Sequence, residues 1–355
     1  MSGIFGNKLK ISIFGESHGQ AIGITIDGLT SGIKIDMEAV EKEMQRRAPG
    51  SQLSTPRKES DLVNIVSGVF EGYTTGNPLT GIIYNENTKS KDYTKTKDLM
   101  RPSHSDYGYY VKQNGFNDYR GGGHSSGRIT APLVFCGAIC KQILAKKGIE
   151  IVAHISSIKD IQDKKFDLAN ITSKEIELLK SKDFKVLDSS KEETMKNAIS
   201  DAQENKDSVG GTIECAILGV NAGIGDPFFD SIESELAHLL FSVPAVKGVQ
   251  FGLGYEMTKM NGSQVNDEFY MDGDKILTKS NNNGGVLGGI YNGMPIVFDV
   301  AIKPTASIFK EQNTINIQTK QNEKITIQGR HDPCIVLRAV PVIEAVAAIA
   351  IMDLI

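Results

Sequence analysis

Apolar and polar positions alternate with a period of two in four stretches spread along the chain: LKISIF (9–14), AIGITID (21–27), GTIECAIL (211–218) and MPIVFDVAI (294–302). Such alternation predicts strands with one face buried. Between them, MEAVEKEMQRR (37–47), APLVFCGAICKQILAKKG (131–148), SIESELAHLLFSV (231–243) and PVIEAVAAIAIMDLI (341–355) read as helices. From about residue 155 to 208 the pattern gives way to Lys, Asp, Glu and Ser. The spacings Thr172/Glu175 and Ser190/Glu193 there predict capping boxes on short surface helices. Strands and helices do not alternate regularly, which argues against a doubly wound sheet. Long apolar segments flank the charged stretch on both sides. The expectation is therefore an α+β fold in a single large domain spanning 1–355. Its mixed or antiparallel sheets are layered with helices, and 155–208 is a peripheral insertion.

Composition narrows the function. With 355 residues, 40% of them hydrophobic, the chain can bury a sizeable core. Its net charge of −4 lacks the basic excess of a nucleic-acid binder, so any anion site must be built locally. No run approaches the roughly 18 uninterrupted apolar residues of a membrane span, and MSGIFGNKLKISIFG lacks a signal peptide's apolar core. The expectation is a cytoplasmic protein with no membrane partner. Cys136, Cys140, Cys215 and Cys334 form no CxxC pair and read as reduced, buried thiols.

Arginine carries the strongest signal. Only eight of the 39 basic residues are Arg (46, 47, 57, 101, 120, 128, 330 and 338), and between 129 and 329 there are 21 Lys and no Arg. Every Arg lies in a segment rich in Gly, Pro, His or Ser. A chain that otherwise uses Lys keeps Arg where a planar fork is needed for phosphate or carboxylate, or where a loop must be pinned through its carbonyls. The densest such segment is YRGGGHSSGRIT (119–130). It lacks the Lys-Ser/Thr ending of a nucleotide P-loop. The apolar run after Pro132 predicts a helix whose first amides point back at the loop, as an anion seat requires. Four histidines fall in Gly- or Arg-flanked loops: His18, His104, His124 and His331. His154 and His238 fall in apolar or helical patterns and read as packing residues. No HxH or HExxH spacing occurs, and the surrounding arginines would oppose a bound cation, so no metal is expected. Histidines beside arginines suit proton transfer near phosphate. A metal-dependent phosphate hydrolase and a catalytically silent phosphometabolite binder remain alternatives to a proton-transferring enzyme.

Nine motifs in order carry a resemblance to a known family: FGESHG (14–19), RRAPG (46–50), SGVFEGYTTGNPLTG (67–81), RPSHSD (101–106), DYRGGGHSSGR (118–128), SVPAVKG (242–248), NNGGVLGG (282–289), KPTAS (303–307) and GRHDPCIVLRAVPVIEA (329–345). End to end, the chain resembles the chorismate synthases. The resemblance implies a β-α-β sandwich, a homotetramer, and a lyase that converts 5-enolpyruvylshikimate 3-phosphate to chorismate with loss of phosphate and one ring proton. That reaction is the last step of the shikimate pathway. It implies reduced FMN as a cofactor without net redox change, and the arginines then have a phosphate, two carboxylates and the flavin phosphate as clients. It also implies His18 as the group that protonates the leaving phosphate, His104 as the group that holds the reduced flavin's protonation state, and Asp332 as the carboxylate that assists removal of the ring proton. Arg47, Arg120, His124 and Arg128 fall on substrate or anion contacts. Ser125, Ser126, Gly127, Ala245, Gly284, Lys303, Thr305, Ala306, Ser307 and Arg330 fall on cofactor contacts. His331 could simply cap its turn. Many relatives read RGGGRSSAR where this chain has RGGGHSSGR, and many carry Arg near Leu53. Without that cation, intrinsic NADPH-driven flavin reduction is not expected, and reduced flavin should come from outside.

Overall fold

The computed structural model describes residues 3–48, 61–85, 97–329 and 331–355. Alternation along 9–27 does what its period requires. Ile22, Ile24 and Ile26 point inward and are fully buried, and Ile11 joins them from the neighbouring strand. The strands β1 (Ile4–Phe5), β2 (Lys10–Gly15), β3 (Ala21–Asp27), β4 (Asn64–Ser67) and β5 (Leu79–Tyr84) form an antiparallel sheet in the order β1-β2-β3-β5-β4. A second antiparallel sheet contains β6 (Glu150–Ile158), β7 (Ile161–Gln162), β8 (Gly211–Leu218), β9 (Val246–Phe251) and β10 (Ile296–Ile302), in the order β9-β10-β8-β6-β7.

Helices fill the space between the sheets and also cover the outer face of the second. The main ones are α1 (Met37–Arg47), α2 (Asp106–Lys112), α3 (Thr130–Lys146), α4 (Ser173–Ser181), α5 (Ser189–Glu204), α6 (Ile232–Ser242) and α7 (Val336–Leu354). α3 packs on β3 and β5, α7 packs on β6 and β8, and the two helices pack on each other. This is the expected layering of sheet, helices and sheet. A helix enclosed in this way must be apolar all round. The AVAAIAI run of α7 (345–351) is accordingly core, with no residue more than 2% exposed. α3 and its preceding turn have the length and hydropathy of a membrane span but lie mostly buried inside the protein. The helices cross closely because Gly137 has no side chain: a Cβ there would lie 2.3 Å from the Ala345 Cβ.

One carboxylate in the middle of α7 is buried. Glu344 accepts two hydrogen bonds from Arg46 of α1 at 2.7 and 3.1 Å, one from Lys141 of α3 at 2.9 Å and one from the Ala153 amide of β6 at 3.2 Å. Burial opposes its charge, yet Lys141 and Arg46 hold its carboxyl well below the usual carboxylate range. Arg46 is thus committed to the interior.

The charged stretch 155–208 begins inside the second sheet, since 155–158 complete β6. Beyond them, Phe166, Ile176, Leu179 and Leu187 cover Val152, Ala216 and Val297 as a small second core. Thr172 and Glu175 form the expected capping box. The other differs: α5 is capped by Asp188, whose carboxylate accepts from the Ser190 amide. The Asp163 carboxylate holds the Asp188 amide at 2.9 Å, which places the chain entry two residues before the anticipated cap. The four cysteines are free and buried, Cys136 and Cys140 lying one turn apart in α3.

Candidate active site

Three glycines shape the loop that enters α3. Gly121, Gly122 and Gly123 take φ values of 61°, 100° and 54°, a left-handed run that residues with a Cβ resist. The missing side chains also let the backbone approach two histidines. A Cβ at Gly121 would lie 2.4 Å from His18 Cε1, and one at Gly122 would lie 3.4 Å from His104 Nε2. The loop is tied on both sides. The Ser17 amide donates to Gly123 O at 3.0 Å, Ser125 and Ser105 meet at 2.6 Å through their hydroxyls, and His124 Nδ1 donates to Gly15 O at 2.8 Å. The Ser126 hydroxyl then caps a short 3₁₀ turn, Gly127–Ile129, that runs into α3.

The loop forms one wall of a cavity of about 930 Å³. Fourteen of the residues anticipated from the sequence line it: Arg47, His18, His104, His124, Ser125, Ser126, Gly127, Arg128, Ala245, Lys303, Thr305, Ala306, Ser307 and Asp332. These come from the end of α1, from both sheets' connections and from the segments that lead into α3 and α7, which explains why motifs so far apart in the chain serve one place. Two anticipated residues lie elsewhere. Arg120 is not on the wall and closes a two-pronged fork on Asp118 at 2.7 and 2.8 Å. Gly284 packs against Gly252 and the Val297 carbonyl. Arg330 and Leu53 lie outside the described residues. His238, read as a packing residue, does pack edge-on against Phe5, and both also line the cavity.

Six basic side chains among the described residues line the cavity: Arg47, Arg101, Arg128, Lys247, Lys303 and Arg338. Among the described residues Asp332 is the one carboxylate on its wall. Further carboxylates stand behind the arginines. Buried Asp61 takes Arg47 Nη2 at 2.6 Å and also pairs with Arg128. Burial opposes its charge, but the two guanidiniums hold its carboxyl below the usual range. Burial lowers the Arg47 guanidinium to about 10 despite Asp61. Asp106 accepts from Arg101 Nε and Nη2, both at 2.7 Å. Asp332 pairs with Arg338 at 2.5 Å, and Arg338 Nε donates to the Arg47 carbonyl at 2.9 Å. The counterions Asp61 and Asp106 escaped sequence reasoning. Asp61 carries no local signal, whereas Asp106 stands two residues from His104 in RPSHSD. His331 does more than cap a turn: it lines the cavity and its Nε2 is buried without a hydrogen-bond partner. Burial and nearby Arg101 push its imidazole below the ordinary value, towards the neutral form.

The cavity is thus cationic, with His124 of the glycine turn and His18 and His104 of neighbouring loops on its wall. The family model for chorismate synthase matches residues 9–355. The chain belongs to the chorismate synthase family. A chorismate synthase of Methanocaldococcus jannaschii is 45% identical, with 99% of this chain and 95% of that protein covered. One of Dehalococcoides mccartyi is 42% identical over 100% of this chain and 96% of its own length. A crystal structure of chorismate synthase superposes with a TM-score of 0.77 at 29% identity, covering 99% of this chain and 92% of that one. As a member of the family the protein is a lyase of aromatic biosynthesis. The His124 side chain turns back to the Gly15 carbonyl and leaves Nε2 as its remaining polar atom.

Proposed function

We propose that the chain converts 5-enolpyruvylshikimate 3-phosphate to chorismate and phosphate by 1,4-elimination, with reduced FMN as an obligatory cofactor supplied from outside. The observation that carries this reading is the meeting of His18, His104 and Asp332 with four arginines on one cavity. Its volume is at the upper end of the roughly 300–1,000 Å³ usual for ligand pockets, in keeping with a substrate and a cofactor held together. The walls fit a polar, anionic guest. Thr305 Oγ1 and His331 Nε2 are buried without hydrogen-bond partners, which is costly unless something satisfies them. Lys303 and Lys247 lie close enough that, after burial, their mutual repulsion lowers the Lys303 ammonium, and a phosphate would relieve it.

In this reading Ser125, Ser126, Gly127, Ala245, Lys303, Thr305, Ala306 and Ser307 hold FMN, with Arg330 and Gly284 assigned by family likeness alone. Bound reduced FMN supplies electron density to an unactivated ring position. The chain's own residues handle anions and protons. Arg47 and Arg128 bind the substrate's anionic groups, together with His124. His18 gives a proton to the departing phosphate oxygen, His104 keeps one beside the flavin, and Asp332, oriented by Arg338, handles the departing ring proton. One C–O bond and one C–H bond break and one C=C bond forms, so no net oxidation occurs. Family likeness further points to a homotetramer in the cytoplasm.

The test is anaerobic incubation of the full chain with the substrate and dithionite-reduced FMN, following chorismate absorbance and free phosphate. Both products should form in equal amounts, only with reduced FMN, and undiminished by chelator. Phosphate release without chorismate, or release abolished by chelator, would instead identify a hydrolase.

A further inference from the structure

We propose that Asp106 is a positioning residue. It fixes the proton of neutral His104 on Nδ1 and leaves Nε2 as the nitrogen available to the cavity. The inference rests on the reading of His104 as a proton-handling group. Asp106 Oδ1 lies 2.7 Å from His104 Nδ1, off the line of a straight hydrogen bond but within ion-pair range. Two lone pairs held that close would repel, so the imidazole tautomer with hydrogen on Nδ1 is the one this geometry accepts. Asp106 cannot supply that hydrogen itself. Against the cost of its burial, Arg101 and His104 hold its carboxyl far below the usual range, so it stays an acceptor.

Its own position is firmly determined. The Arg101 amide donates to Oδ2 at 3.1 Å, and the Arg101 guanidinium closes on the two oxygens with Nε and Nη2. The carboxylate sits at the first residue of α2, where negative charge is favoured by the helix dipole. Ser105, between the two residues, is joined to Ser125 of the glycine loop at 2.6 Å. Cε1 and Nε2 of the ring lie beside Gly122, which has no side chain to cover them. The turn 101–106 thus acts as a clamp on one edge of the imidazole while the glycine leaves the other open.

The decisive measurement is a long-range proton–nitrogen NMR spectrum of the full-length protein labelled in its histidines, without ligand and with the imidazoles neutral. The His104 signals are assigned by comparison with His104→Gln. His104 should carry its proton on Nδ1. Asp106→Asn, whose amide can donate to Nδ1, should move the proton to Nε2 and lower kcat by roughly 10²-fold or more, with KM changed far less. A proton on Nε2 in the unmodified protein would overturn the proposal whatever the variant does. So would an Asp106→Asn protein with kcat within about threefold of the parent. Should the unmodified protein fail to make chorismate with reduced FMN, the proposed function fails, and the NMR spectrum still decides the role of Asp106.

Discussion

A methyl group at Gly121 would have to occupy space already held by His18, 2.4 Å from its Cε1, and would sit on a backbone with φ of 61°. Gly121→Ala should therefore lose about 1–2 kcal/mol of stability from the left-handed backbone. It should lose turnover out of proportion, by about 10²-fold, because the imidazole must move. Urea unfolding and steady-state kinetics on the same preparation separate the two effects. A variant that is destabilised but keeps its kcat would show that the place of His18 on this loop is not what matters. At this scale much of the site was legible. His18 and His104 were visible because the Gly and Arg around them mark loops built for ligands, whereas Asp332 and the 303–307 segment were assigned through the family resemblance. Asp61 and Asp106 were not, because a counterion has no periodicity and its arginine is found only by folding. Arg120 shows the limit from the other side: its neighbour Asp118 takes the fork that sequence reasoning gave to an anion.

At the scale of elements, period-two and helical patterns predicted the strands at 9–14, 21–27, 211–218 and 294–302 and the principal helices, since burial of one face leaves a mark in composition. What the pattern could not show was the role of Glu344, a buried carboxylate inside the apolar stretch of α7. Its ties to Arg46, Lys141 and the Ala153 amide join α1, α3, α7 and β6. Replacing it with Gln removes the more deeply buried of the two carboxylates, Glu43 and Glu344, that Arg46 and Lys141 share. Glu344→Gln is expected to cost about 3–5 kcal/mol, as for other broken buried ion pairs, and chemical denaturation measures it. A loss below about 1 kcal/mol, the range of exposed pairs, would mean that the cations find other partners or water. The cap of α5 was misplaced for a related reason: Asp163, distant in sequence, decides where the chain turns into the helix.

For the molecule as a whole, His154 joins the charged segment to the second sheet. It lies between Asp163 at 3.0 Å and Glu214 at 2.8 Å, edge-on to Phe166, so it is an ion-paired group as well as the packing residue its apolar surroundings indicated. Burial opposes its protonation, but Asp163 and Glu214 raise its pKa above the ordinary value. The sign of the linkage follows. The stabilisation is fully present below the unfolded value of about 6.5 and is lost as pH rises through the higher folded value. The gap in melting temperature between the parent and His154→Gln should thus be widest near pH 6 and narrow on the alkaline side. A gap that stays constant across that range would show that the imidazole is not charged in the fold. The irregular order of strands and helices pointed away from a doubly wound sheet, and the sandwich itself was implied only by the family resemblance. That the 345–351 run is core emerged only once α7 lay between the sheets.

Every arginine among the described residues is matched with a carboxylate of the same chain. An arginine in solution samples many rotamers, and ordering one on a ligand costs about 0.5–1.5 kcal/mol of side-chain entropy. Here Arg47, Arg101, Arg128 and Arg338 are already held by Asp61, Asp106 and Asp332, so that freedom is removed when the protein folds rather than when the ligand arrives. Asp61 serves two guanidiniums at once, which leaves net positive charge in a cluster that is nonetheless immobile. The cavity can therefore attract an anion as a charged site does and receive it as a rigid one does, with the geometry of its cations set before the guest enters.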